Sequence, residues 1–142
     1  MNDAKAVKIS EKVAKDQFKV FVDYYDLDLT LIPASARESV DSAIDRIMKA
    51  ITKGRLEIRE SESGVELVQT FKFPMGEKSS MVYGVLTGKT KVSLKTKSEQ
   101  DPFGRMYALA GSLTGIGDDG IMALKGPDLS LAECIGCLFL QV

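Results

Sequence analysis

The chain of 142 residues has no histidine and no tryptophan, only two cysteines and only four prolines. Without histidine it lacks the commonest general base and every imidazole metal site. Two cysteines are too few for a secreted disulfide framework. Four prolines, with no Gly/Ser-rich run, leave no flexible linker. No apolar run approaches the ~20 residues that span a bilayer, and Met1-Asn2-Asp3-Ala4-Lys5 leads into no apolar signal segment. The expectation is one cytoplasmic domain over 1–142, in three parts at 1–54, 55–97 and 101–142, with no membrane partner.

What is present is ordinary globular composition, 44% hydrophobic and 27% charged, with a formal net charge of −1. The charge is unevenly spread. Residues 1–97 hold 17 Lys and Arg against 14 Asp and Glu, and residues 98–142 hold 2 against 6. Such a division can steer self-association into a homo-oligomer or attract a charged partner.

Hydrophobic periodicity predicts an α+β chain. Ile9, Val13, Val20, Phe21 and Tyr24 suit one face of a helix over 9–22. Leu27, Leu29 and Leu31 alternate as a short strand stopped by Pro33. Val40, Ile44, Ile47, Met48 and Ile51 predict a helix over 36–53, with Ser35 and Glu38 at capping-box spacing and Gly54 at the left-handed end. A small antiparallel meander follows: Leu56 and Ile58, a Ser61–Gly64 turn, Val65 to Phe73, and a strand over 81–86. Val92 and Leu94 suggest a fourth strand. Asp101-Pro102 opens a helix carrying Met106, Leu109, Ala110 and Leu113 and closed by Gly115. A short helix over 119–125 and a last helix capped by Asp128 complete a C-terminal lobe of three helices.

Several motifs resemble chemistry and lack its context. Gly84-Val85-Leu86-Thr87-Gly88-Lys89-Thr90 is one residue short of a P-loop, and Lys91 to Lys95 alternate like a strand where a helix should aim at the phosphates. Gly115-Ile116-Gly117-Asp118-Asp119-Gly120 has dinucleotide-fingerprint spacing but follows a helix, so it reads as an interhelical loop in which Asp118 or Asp119 caps the next helix. Cys134 and Cys137 have redox or zinc spacing. Two cysteines without histidine fall short of the four ligands of structural zinc, and the pair reads as small buried side chains. The acidic pairs Asp26/Asp28, Glu60/Glu62 and Asp118/Asp119 read as solvated turn charges. Lys89, Lys91, Lys95 and Lys97 lack the interleaved aromatics of a nucleic-acid surface. No catalytic, cofactor-binding or metal-binding residue is assigned.

The C-terminal region carries a resemblance. Met106-Tyr107-Ala108-Leu109-Ala110-Gly111-Ser112-Leu113-Thr114-Gly115-Ile116 is an apolar helix closed by a turn, followed by Ile121-Met122-Ala123-Leu124, Asp128-Leu129 and a Leu138-Phe139-Leu140 end. With the preceding Phe71-Lys72-Phe73-Pro74, this order resembles the tail assembly chaperones of long-tailed bacteriophages. The resemblance covers the last third of the chain and, more loosely, the hairpin region.

It implies a non-catalytic protein of the infected host's cytoplasm that binds the helical tape measure protein and helps gather tail-tube subunits on it. Leu109, Leu113, Ile121, Leu124, Ile135 and Phe139 are the expected partner-binding residues, lining a groove for an amphipathic helix. The alternatives are a structural tail or neck component of the particle, and a small nucleotide- or nucleic-acid-binding domain.

Overall fold

A computed structural model describes residues 9–62, 64–85, 87, 88, 92 and 102–140. Ser10 begins the first helix: its hydroxyl accepts from the Val13 amide at 3.3 Å, and α1 runs Glu11–Tyr24. The buried face is Ala14, Phe18 and Phe21, whereas Val13 and Tyr24 of the expected stripe are 43% and 42% exposed. The stripe is rotated because small Ala14 permits close approach while the aromatic positions supply the buried bulk.

Asp26 takes a left-handed φ of 53° where the chain leaves α1, and the Leu27 amide reaches back to the Val22 carbonyl. The expected strand at Leu27–Leu31 is instead a 3-10 turn, Leu29–Leu31. Asp28 dictates this: its carboxylate accepts from the Thr30 amide and hydroxyl, which folds the segment back and lowers the pKa of Asp28.

The second helix, α2, spans Ala34–Thr52. Its cap position is Pro33, with no side-chain hydrogen bond, so the Ser35/Glu38 capping box does not form. The helix starts earlier than that motif implies because Pro33 presets the backbone and leaves both residues inside the first turns. Gly54 has the expected left-handed conformation, φ 77°, and the Gly54 and Arg55 amides close the end on the Ile51 and Ala50 carbonyls.

The sheet has three described strands, β1 (Leu56–Ser61), β2 (Gly64–Met75) and β3 (Lys78–Tyr83), antiparallel with β2 central. Registers Leu56↔Gln69, Ile58↔Leu67, Leu67↔Tyr83 and Gln69↔Met81 set one inward face. The third strand starts and ends earlier than expected, because Gly76 makes the turn at φ 61° and the Gly84 amide leaves the ladder to bond the Leu113 carbonyl at 2.8 Å. The expected fourth strand lies outside the described residues except for Val92, which is helical and 54% exposed.

Three helices follow: α3 (Pro102–Thr114), α4 (Gly117–Met122) and α5 (Pro127–Leu140). Left-handed Gly115 and Gly117 turn α3 into α4. The cap position of α4 is Ile116, with Asp118 and Asp119 in its first turn, so neither acid is the cap. The last helix is apolar on almost every side. Leu131, Ala132, Ile135, Leu138 and Phe139 are all buried, and α5 touches α2, α3, α4 and β2. Phe139 meets the rings of Phe21 and Tyr25 edge-on at 5.9 and 5.3 Å, which joins α1 and α5 in one core. The architecture is α+β. No helix of the described residues is long and apolar enough to cross a membrane.

Candidate functional site

The six residues expected to line a groove are interior. Leu109, Leu113, Ile121, Leu124, Ile135 and Phe139 are 1, 6, 0, 4, 0 and 2% exposed and belong to one core cluster. That corrects the expectation of a helical lobe whose stripes are only partly covered. The cover comes from α2, from the inward face of the sheet and from α5 itself, and a chain of apolar stripes closes on itself whenever its elements can reach one another.

The most developed polar constellation is structural in geometry and lies under the same helix. The Tyr83 hydroxyl donates to Gln69 Oε1 at 2.7 Å, and Gln69 Nε2 donates to the Asp128 carbonyl at 2.9 Å. The Asp128 carboxylate then accepts from the Lys72 amide at 2.8 Å and the Phe73 amide at 2.9 Å. Tyr83, Gln69 and Asp128 are each no more than 1% exposed. Burial pushes the Tyr83 phenol well above its ordinary range, so it remains a donor.

Strand geometry explains why the carboxylate is needed. The β2–β3 register shifts between Thr70 and Met75, and β1 pairing ends at Leu56↔Gln69. The amides of Lys72 and Phe73 therefore have no ladder partner, and Asp128 supplies one to each. Asp128 does not cap its own helix, as its position after Gly126-Pro127 suggested. It lies inside the first turn of α5 and fastens that helix to the sheet. Gln69 and Asp128 are the residues sequence reasoning missed. A polar side chain at an inward position between Leu67 and Phe71 was the one available signal.

Cys134 and Cys137 are free, on the α5 wall of a groove shared with Glu38, Ser42 and Arg46 of α2 and Glu133 of α5. Burial raises the pKa of both thiols, and Arg46 only partly offsets this at Cys134. Neutral thiols are poor nucleophiles and poor metal ligands. Among the described residues no group of three or more His, Cys, Asp or Glu could hold a metal ion. Beside the same groove the Tyr107 hydroxyl of α3 donates to Glu133 Oε2 at 2.7 Å, which pushes the phenol pKa up to about 12.

The other motifs resolve locally. Of the near-P-loop only Gly84, Val85, Thr87 and Gly88 are described, and the Gly84 amide is already bonded to Leu113. Lys89, Lys91, Lys95 and Lys97 lie outside the described residues. Asp26 and Asp28 are turn residues, and Glu60 and Glu62 are exposed at the β1–β2 hairpin.

A second surface was not anticipated. The C-terminal turns of α2 and the start of α5 form an open cleft of about 260 Å³, edged by Arg46, Lys49, Lys53 and Arg55. No protein-family model, no curated protein and no solved structure matches this chain.

Proposed function

We propose that the chain is a non-catalytic tail assembly chaperone of a long-tailed bacteriophage. In this reading it binds the tape measure protein in the cytoplasm of the infected host and helps recruit tail-tube subunits. Support comes from the two segments that carry the resemblance: Phe71-Lys72-Phe73-Pro74 is fastened to the first turn of the last helix through Asp128. The strand phrase and the helical lobe thus act as one unit, as a protein that presents a defined face to a partner requires.

The partner meets exposed side chains in this reading, not the six interior ones. Phe103 and Met122 of the helical lobe are 58% and 56% exposed, and Phe73 is 43% exposed. Co-expression with the tape measure and tube proteins of the same phage, followed by affinity purification, tests the proposal. The expected result is a complex containing the tape measure chain, with this protein absent from purified particles by mass spectrometry. Stoichiometric presence in mature particles would instead favour a structural tail or neck component, and failure to capture either protein would remove the chaperone reading.

A further inference from the structure

The cleft between α2 and α5 has a composition that selects its occupant. Arg46, Lys49 and Lys53 are exposed and Arg55 is half-buried, all along a single edge at the C-terminal end of α2 and the residues after it. None of the four is held in an ion pair among the described residues, where Arg59 with Glu57 is the salt bridge formed. The floor is apolar, made by Ala50, Pro127 and Leu131. The Asp128 carboxylate also borders the cleft, but it is 1% exposed and both its oxygens face the Lys72 and Phe73 amides of the sheet. Glu11 and Asp45 stand in the adjoining α1–α2 groove, which shares Lys49 and Lys53 with the cleft.

We propose that this cleft is a docking site for an acidic segment of a partner protein, one that alternates carboxylates with apolar side chains. Carboxylates pair with the cationic edge, and an apolar side chain covers Leu131 and Pro127. The volume of about 260 Å³ is below the usual range of enclosed small-molecule pockets and takes one or two side chains of a longer chain. No aromatic residue lines it to stack a base, which disfavours a single-stranded nucleic acid. The cleft's chemistry is independent of whether the chain serves a phage tail.

The test is fluorescence anisotropy of the full chain with a short labelled peptide alternating Glu and Leu. A Lys/Leu peptide and a DNA oligonucleotide of equal charge serve as controls. Binding by the Glu/Leu peptide alone is expected, weakening as salt is raised past about 0.15 M. The triple variant Arg46→Gln/Lys49→Gln/Lys53→Gln should bind about tenfold more weakly or worse. Lys12→Gln/Lys19→Gln/Lys78→Gln, which removes the same charge away from the cleft, should bind as the wild type does. Circular dichroism checks that both variants are folded.

Equal binding of the DNA, equal loss in both variants, or no binding by the wild type would each overturn the proposal. So would self-assembly at low salt, seen by sedimentation and lost only in the Arg46/Lys49/Lys53 variant, because a second copy would then be the occupant. If the triple variant unfolds, Arg46→Gln alone gives the deciding comparison: undiminished binding counts against the site.

Discussion

Asp128 shows how one side chain can fasten two layers of a fold. Its oxygens accept from two successive amides, those of Lys72 and Phe73, in the shifted part of β2. An alanine there takes the acceptor from two part-buried amides, which water can partly replace, so Asp128→Ala should lose about 1–3 kcal/mol in urea denaturation. Asp128→Asn, which keeps one acceptor, should lose less. Equal losses for the two would mean that the amides find other partners. Tyr83→Phe removes one donor to Gln69 and should cost about 1 kcal/mol. The thiols make the opposite case, since their environment suppresses chemistry. With both pKa values raised by burial, the reactive thiolate is scarce below the ordinary thiol range. Alkylation by iodoacetamide at neutral pH should therefore be slower than for a free cysteine, and it should accelerate only at a pH above the usual thiol midpoint. Rapid neutral-pH labelling of the folded protein would contradict that assignment.

Among the elements, α3 and α4 approach each other closely. A Cβ on Gly111 would stand 2.4 Å from the Gly117 carbonyl carbon and 2.7 Å from the Asp118 amide nitrogen, which are backbone atoms that cannot step aside. On Gly120 the nearest atoms are Cγ1 and Cβ of Ile116, at 2.7 and 2.8 Å; a rotamer change moves the Cγ1 but not the Cβ, so Ile116, at the cap position of the short α4, must itself shift. Gly111→Ala should thus destabilise by about 2–3 kcal/mol, and Gly120→Ala by less. Thermal unfolding of the pair checks the order, and the reverse order would show that α4 rather than α3 gives way. The same scale accounts for most differences between sequence expectation and fold. The segment Leu27–Leu31 alternates like a strand, yet Asp28 bends it into a turn because a side-chain acceptor two residues before Thr30 competes with extension. Gly54, by contrast, ends α2 as read, since a left-handed terminus is a local demand that glycine meets without help.

At the scale of the molecule, α5 is the element on which the others converge, and its apolar residues are interior on nearly every side. Charges placed on it, or on the residues of the core cluster it shares with α3 and the α4–α5 connection, should unfold the chain rather than detach a partner. Leu109→Asp, Leu113→Asp, Leu124→Asp and Phe139→Asp should each lose cooperative unfolding, since an unpaired buried carboxylate costs several kcal/mol against a total of about 5–15 kcal/mol. Phe103→Asp and Met122→Asp, at exposed positions, should stay folded and so can report on binding in the tape measure co-purification. A folded Phe139→Asp would mean that the lobe opens in solution and would return the interior stripe to partner binding.

The α+β class, the helices α1 to α5 and the β1–β2 hairpin follow from local periodicity and turn residues, because a 3.6-residue or 2-residue pattern requires nothing beyond neighbouring residues. The apolar character of residues 131–139 was equally plain. Whether that surface faced a partner or the protein's own core was not, since hydrophobicity has no direction and only the arrival of α2 and the sheet decides what covers it. The Tyr83–Gln69–Asp128 chain depends on a register shift in β2 and a helix 59 residues beyond Gln69, a separation that no local pattern encodes. The cationic cleft arose in the same way. Arg46, Lys49, Lys53 and Arg55 are ordinary surface charges in sequence, and they become one edge only where Pro127 and Leu131 of α5 pack beside them.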